Sequence, residues 1–526
     1  MEKLYNRIVI PDDWPPGNIN AESTDPMPVP WLENPPPVIP IDVGRQLFVD
    51  DFLIQTTTMK RTFHAARKFA DNPVLRPETP LETEGVLLTA CPKSGGVWYD
   101  PADKLFKMWY EAGWLNALAY AVSEDGIHWQ RPDLDVRPGT NQLVPEFHPD
   151  STTVFIDHDT ADPAQRFKMF IREANGCCDL RGNCFVSADG IHWSAPVKTN
   201  RLGDRSTFFY NPFRKKFVYS IRAGAEKRGR ARYYRECSDF LQGAQWSSEE
   251  AVFWAGADKL DLPDPEIGMT PQLYNLDAVA YESLMLGLFE IHLGPANDVC
   301  IRGGYPKTTE LMTAFSRDGF HWHRPDRRAF IPAARKQGTW DRGYVQSTGG
   351  ICLDMDDTLW FYYIGFQGDE TKLDKSWYNN GMYANASTGI AILRRDGFAS
   401  MDAGAEAGNL CTRPVTFKGK HLFVNVDAPE GELTVEIRDL DGRPVAPFTS
   451  ANCIPVRADS TKHEIRWTGA DDLSAVSNRP VRLCFNLKSG KLYSFWISDD
   501  LSGKSNGYAA AGGPGFDGGR DGRPFE

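Results

Sequence analysis

Residues 96–129 read GVWYDPADKLFKMWYEAGWLNALAYAVSEDGIHW, and this stretch decides the fold. Val97–Tyr99 is a short β-rich run that meets an Asp-Pro turn at Asp100-Pro101. Leu105–Tyr110 follows, then a Gly/Trp loop, then Ala117–Ser123, which ends at a second turn, Asp125-Gly126, ahead of Trp129. Apolar and aromatic runs punctuated by Asp-Pro and Asp-Gly are the sequence form of an antiparallel meander.

The chain then says the same thing again. SEDGIHW at 123–129 returns as SADGIHW at 187–193 and as SRDGFHW at 316–322. Ser238-Asp239-Phe240 with Trp246, and Arg395-Asp396-Gly397-Phe398, are weaker copies. The opening phrase keeps step, as VWYDP (Asp100), VFIDHD (Asp157), FFYNP (Asn211), AVAYES (Glu282) and ICLDMD (Asp354), each followed by a second apolar run. A repeat of this size means a solenoid or a propeller. Strands with no helical segments between them favour radial blades, so the sequence predicts an all-β chain built on a five-bladed β-propeller.

Outside the repeats the chain changes character. Residues 1–44 are proline-rich and expected to run as extended surface chain. Arg45–Gln55 alternates like a strand; the fifth repeat has no evident outer strand after Phe398, so Arg45–Gln55 is expected to close the ring there. The propeller is therefore placed at 45–405. Beyond it LFVNVDAP, ELTVEIRD, HEIRWTG, VRLCFNL and KLYSFWIS alternate at short spacing without the repeat phrase, which predicts a β-sandwich over 406–505. The Gly- and Asp-rich tail 506–526 is expected to be loose. Its GGPGFDGG follows no strand–helix signature, so phosphate binding is not expected there.

A length of 526 residues suggests two domains, and a net charge of −12 argues against a nucleic-acid or anionic-membrane partner. No apolar run is long enough to span a bilayer. Residues 1–20 hold no apolar signal core, which points to the cytoplasm, or to the periplasm or outside if a signal has been trimmed. Ten cysteines lack a spacing pattern, and Cys177-Cys178 is neither a metal nor a redox motif; mostly reduced, buried thiols are expected. Nothing in the sequence sets the oligomeric state.

Five blades with Ser-x-Asp-Gly-x-x-Trp closing the third strand, followed by a sandwich, resemble the five-bladed-propeller glycosidases of glycoside hydrolase families 32, 43, 68 and 130. The layout is most similar to family 32, whose own Trp-Met-Asn-Asp-Pro-Asn-Gly, Arg-Asp-Pro and Glu-Cys motifs are absent. The resemblance implies a carbohydrate substrate and a pair of carboxylates flanking a scissile bond. The sialidase Asp box is one residue longer than the phrase here and belongs to six-bladed propellers. The repeated Asp, Gly and Trp are expected to make turns and pack between blades. His128, His192 and His321 share that turn and are not expected to form a metal triad.

Counting seven residues back from each first turn gives Lys93, Asp150, Asp204, Asn275 and Ser347, all polar at the mouth of apolar innermost strands. The returning strands end on the same face with Glu111, Arg172, Glu173, Arg222, Glu290, His292 and Gln367. Glycoside cleavage needs one carboxyl to donate a proton and another to act as base or nucleophile. Asp204 and Asp150 are the expected nucleophile or base and its supporting acid, and Glu290 or Glu111 the proton donor, its pKa raised by burial. Arg172 and Arg222 are candidates for binding hydroxyls or an anionic sugar. Asp204-Arg205 and Asp341-Arg342 repeat an Asp-Arg step before blades three and five, and Trp340 and Trp114 are candidate sugar-stacking faces. The expected activity is exo-acting hydrolysis of a furanoside or a decorated plant or algal oligosaccharide, without an organic cofactor, a structural calcium ion being compatible with the acidic loops. Two alternatives stay open: a phosphorylase whose phosphate pocket uses Arg172, Arg205, Arg222 and Arg342, and a non-catalytic carbohydrate-binding propeller.

Overall fold

The structure is a computed structural model, and it describes residues 1–85, 87–174 and 180–522. Five antiparallel sheets follow one another along the chain. Blade one runs Ala90–Cys91 with Val97–Asp100, then Leu105–Ala112, Ala117–Ser123 and Gln142–Leu143. Blade two is Pro149–Ile156, Phe167–Glu173, Arg181–Ser187 and Val197–Arg201. Blade three is Thr207–Asn211, Lys216–Ala225, Gly229–Cys237 and Val252–Gly256. Blade four is Gln272–Glu282, Leu284–Gly294 and Thr308–Ser316. Blade five is Gly343–Ser347 with Leu353–Met355, then Thr358–Phe366 and Ala386–Arg394.

Hydrogen bonds join each blade to the next and close the circle. Val154 N–H donates to the Gly95 carbonyl at 3.0 Å, and Arg205 N–H to Ser151 Oγ at 2.7 Å. The Arg232 guanidinium donates to the Tyr274 carbonyl, Thr309 Oγ1 to the Val345 carbonyl at 2.6 Å, and Val97 N–H to the Gly349 carbonyl at 3.3 Å. The all-β propeller architecture expected from the repeats is observed, and the sheets that build it follow one another in chain order.

The repeated phrase is a turn. Asp125 Oδ1 accepts the N–H groups of Ile127 and His128 at 2.8 Å each, and its Oδ2 lies 2.7 Å from His128 Nδ1. Asp189 and Asp318 repeat the pattern with His192 and His321. Each turn is also held by the neighbouring blade: Trp109 Nε1 donates to the Gly190 carbonyl at 2.8 Å and Trp254 Nε1 to the Phe320 carbonyl at 2.7 Å, while the Tyr362 hydroxyl reaches the Gly126 carbonyl. The glycine is required there because φ is +75° at Gly126, +81° at Gly190 and +84° at Gly319.

Two expectations need correction. Arg45–Gln55 does not close the ring: Gln46–Leu47 pairs with Gly490–Ser498, and Ile54–Thr57 with Gly408–Thr412, both in the sandwich. Arg67–Lys68 pairs with Ala386–Arg394 and completes blade five instead. Arg45–Gln55 packs on both faces: Phe48 and Phe52 join Phe485 and Phe495 in the sandwich core, while Leu47 and Val49 face the propeller core beside Tyr281 and Phe361. The second correction concerns residues 506–526. Tyr508–Ala509 adds to the innermost strand of blade four at Tyr281 and Glu282, and Ala511 exchanges backbone hydrogen bonds with Tyr99 and Cys352, each 2.9–3.0 Å. The tail crosses the end of the channel where the innermost strands turn back, and small residues allow its close approach to other backbone.

Most of the described cysteines are free and buried, as expected, with one exception. Cys411 and Cys484, on paired strands of the sandwich, form a disulfide; the other six described cysteines are free and buried. Cys177-Cys178 lies outside the described residues. The sandwich packs a six-stranded sheet on a four-stranded one, and it recruits Ala399–Ala403 and Lys60–Phe63 from outside its expected bounds.

Candidate active site

At the channel end opposite the tail, the entries of the innermost strands bring the five aligned positions together. Asp277 is the hub, two residues beyond Asn275 and on the same face of its strand. Asp277 Oδ2 accepts from Ser347 Oγ at 2.6 Å, Ser94 Oγ at 3.0 Å and Asn275 Nδ2 at 3.1 Å. Ser94 Oγ is also 3.3 Å from Arg205 Nη2 and from Asn275 Nδ2. Four blades thus meet on one carboxylate and one hydroxyl.

The acids divide by environment. Asp204 carries Arg230 Nη2 at 2.8 Å and Arg222 Nε at 3.3 Å. Burial works against its ionisation, but Arg230 and then Arg222 outweigh it and hold the carboxyl well below the usual range. Asp150 is paired with Arg172 Nη1. Glu111 is buried against Lys93 Nζ at 2.5 Å and accepts the Leu115 N–H at 2.6 Å; burial raises its pKa and Lys93 only partly opposes this. Glu290 stands opposite Asn275 in the blade-four hairpin. It is fully buried, and neither carboxyl oxygen has a hydrogen-bond partner among the described residues. Burial pushes its pKa up to about 8, with Arg205 opposing and Asp277 adding to the shift. Glu290 is therefore the protonated acid of the site at neutral pH, and Asp204 the ionised one.

Aromatic rings form one wall. The Tyr274 and Tyr344 hydroxyls are 2.6 Å apart, and Tyr274 lies between Arg230, 4.0 Å from its ring centre, and Lys307 Nζ, 5.0 Å away. His292 sits edge-on to Tyr274 at 5.8 Å; burial, then Lys307 and Arg230, push its pKa down to about 3, so the ring is neutral. Its Nε2, Asn275 Oδ1, both amide atoms of Gln346, and Arg205 Nε and Nη1 are buried without partners among the described residues. Buried polar groups are nearly always hydrogen-bonded, so such a concentration marks a place built to receive polar atoms.

Several expected residues sit elsewhere or act otherwise. Trp114 offers no free stacking face: Tyr383 stacks on it at 4.4 Å, and Lys93 Nζ lies 4.2 Å from its ring centre. Trp340 packs on Tyr363 at 5.3 Å inside blade five. Asp341 is held by Lys68 Nζ at 2.5 Å and by the Tyr363 hydroxyl at 3.1 Å, which ties down the ring-closing strand. Arg342 pairs with Glu370 at 2.8 Å. The shared Asp-Arg step thus serves the site in blade three and the scaffold in blade five. Glu173 meets Arg172 through its backbone carbonyl, at 3.2 Å, and the Gln367 amide donates to the Gly338 carbonyl at 3.4 Å.

Arg230, Arg232, Tyr274, Asp277, Lys307, Tyr344 and Tyr383 belong to the site without having been singled out in the sequence. Arg230 and Arg232 sit on the third strand of blade three, one strand farther out than the counting rule reached. Two exposed aromatics, Trp377 and Tyr378, lie on the blade-five loop beside the mouth. The Trp377 carbonyl accepts the Trp114 indole N–H at 3.2 Å. Among the described residues no group of three or more His, Cys, Asp or Glu side chains is arranged to hold a metal ion.

No protein-family model matches the chain, and no curated protein is similar to it. Among solved structures it is similar to an N-acetylgalactosamine deacetylase from F. plautii in complex with blood group B trisaccharide, at 12% identity and a TM-score of 0.43 over 65% of this chain and 96% of that one. It is also similar to the catalytic domain of a GH62 α-L-arabinofuranosidase from Coprinopsis cinerea (11%, TM-score 0.37, 62% and 97%). A third is a family 43 arabinoxylan arabinofuranohydrolase from Bacillus subtilis in complex with cellotetraose (10%, TM-score 0.33, 83% and 99%).

Proposed function

We propose that the chain is a glycoside hydrolase working at the polar end of the propeller channel. One observation carries the reading: a buried carboxyl kept protonated, Glu290, and an ionised carboxylate, Asp204, share one cluster of arginines, since both act electrostatically on Arg232. Two carboxyls pushed to opposite protonation states are what acid–base glycoside cleavage requires. Glu290 gives its proton to the glycosidic oxygen as the bond to the anomeric carbon breaks. Asp204 takes a proton from the water that attacks that carbon, or attacks it directly and is released by water in a second step. Asp150, fixed by Arg172, supports Asp204 from the neighbouring blade. The unpartnered atoms of Asn275, His292 and Arg205 bind sugar hydroxyls, and a funnel closed at its far end suits a chain terminus, including a furanose.

The test is release of sugar from a panel of aryl glycosides and plant and algal oligosaccharides by wild type, Glu290→Gln and Asp204→Asn. Each variant is expected to lose about 10²–10⁴-fold in kcat with an unchanged melt. Release undiminished in Glu290→Gln sinks the assignment of the acid. Turnover that requires added phosphate turns the reading to a phosphorylase, which Arg172, Arg222 and Arg230 at the mouth favour. Binding without turnover across the panel leaves a carbohydrate-binding propeller.

A further inference from the structure

Three cations at the floor of the site have no carboxylate within ion-pair distance among the described residues. They are Arg205, Arg232 and Lys307, exposed by 2%, 0% and 2%. Their donors meet neutral groups only. Arg205 Nη2 is 3.3 Å from Ser94 Oγ, and two of its nitrogens have no partner among the described residues. Arg232 Nη1 donates to the Arg205 carbonyl at 2.7 Å and Nη2 to the Tyr274 carbonyl. Lys307 Nζ meets Asn297 Oδ1 at 2.8 Å and the Tyr274 hydroxyl at 3.5 Å. Taking a cation out of water without a counter-ion is costly, and carbonyl dipoles and tyrosine faces return only part of that cost.

The nearby acids do not supply the missing charge. Glu111 is taken by Lys93, Asp150 by Arg172, and Asp204 by Arg222 and Arg230. Asp277 acts electrostatically on Arg205, but it makes no ion pair with any of the three, and its Oδ2 is shared among two hydroxyls and an amide. Glu290 remains protonated at neutral pH because burial disfavours its charge. A chain with a net charge of −12 therefore concentrates uncompensated positive charge at the base of one funnel.

We propose that the group bound on this floor carries an oxyanion, a carboxylate or sulfate on the sugar itself, whose charge completes the set formed by Arg205, Arg232 and Lys307. The inference rests on the carbohydrate reading above and deepens it to acidic sugars. Inorganic phosphate shares the same chemistry and is the other source of the charge.

The experiment uses the intact protein, with calorimetry and thermal shift on glucuronic and galacturonic acids, on glucose and galactose, and on inorganic phosphate and sulfate. Turnover of aryl glucuronides and glucosides is followed in parallel. The acids are expected to bind at least about tenfold more tightly than their neutral counterparts at low salt, with the difference shrinking as salt rises. Arg205→Gln is expected to erase the preference and Arg205→Lys to keep part of it. If Arg205→Gln does not fold, Lys307→Met makes the same comparison, and the salt series on wild type needs no variant. Turnover of neutral glycosides that depends on phosphate keeps the oxyanion and assigns it to a co-substrate. Neutral and acidic sugars bound equally, without salt dependence, overturn the proposal and leave the carbohydrate site standing. Anions bound with no sugar of either kind overturn the carbohydrate reading, and no response to any of these ligands overturns both.

Discussion

The two ends of the propeller channel are made from the same five strands and treat buried charge in opposite ways. At the turn end, Arg45 Nη1 meets Asp396 at 3.0 Å and its Nε lies 3.5 Å from Glu282, while Arg395 meets Asp354 at 2.9 Å and Glu282 at 3.4 Å. Tyr281, Ser494 and Asn425 bond Asp396, Ser505 bonds Glu282, and the tail lies against them. Every charged side chain there has a counter-ion, three carboxyls sharing two arginines, and burial pushes Asp354 up to about 7. At the entry end three cations lack one and a carboxyl is forced neutral. Pairing offsets much of the cost of burying charge in the first arrangement and no counter-ion does so in the second, and groups left unmatched at such expense are the mark of a binding or reacting end.

The largest difference is expected from cutting the balanced end. Removing residues 505–526 takes away the strand on blade four and Ser505, which bonds Glu282, and should lower the melting temperature on the order of 5–10 °C. A melt shifted by less than a degree would mean the tail seals nothing. Arg45→Met leaves Asp396 and Glu282 facing each other with one cation fewer, at a cost of about 3–5 kcal/mol by denaturant titration, while Kd for a bound sugar stays within about twofold. Arg205→Gln at the entry end should do the reverse: a stability change within about 1 kcal/mol or a gain, and a clear loss of affinity.

The pH dependence separates the ends as well. Glu290 has a folded-state pKa near 8, above its ordinary value of 4.5. Its contribution to stability is complete below 4.5, falls as pH rises from there and is gone above 8, where the folded protein also loses the proton it donates. The activity profile should fall above about pH 8, and Glu290→Gln should flatten the decline in melting temperature between about pH 4.5 and 8. A decline unchanged in that variant would rule out Glu290 as its source. The smallest effect is at the rim: Trp377→Ala should raise KM for oligosaccharides about threefold or more while leaving aryl glycosides unaffected.

Much of the scaffold was legible because a propeller repeats itself. The SxDG phrase names each turn by its own hydrogen bonds, and the first turn fixes a register from which Lys93, Asp150, Asp204, Asn275 and Ser347 follow by counting. That rule works only along the two inner strands of a blade. It missed Arg230 and Arg232 on a third strand, and Asp277, whose role depends on side chains from other blades. It also paired Asp204-Arg205 with Asp341-Arg342, because a dipeptide carries no record of which side of the blade it faces. The fate of Arg45–Gln55 was illegible for a related reason: an alternating strand declares that it has a core, not which one.

The order in which the ribosome releases this chain is at odds with the order in which its parts can be used. Gln46–Leu47 needs Gly490–Ser498 and Arg67–Lys68 needs Ala386–Arg394, so the earliest segments wait hundreds of residues for their partners. Tyr508–Ala509, which crosses the channel, emerges after all five blades. Blades one to four can assemble locally as they appear, but closure of the ring waits for Ala386–Arg394, and pairing of the sandwich and sealing of the channel wait for segments beyond it. Such a topology makes for slow completion, and a chain without Tyr508–Ala509 would hold a closed ring whose channel has walls but no seal.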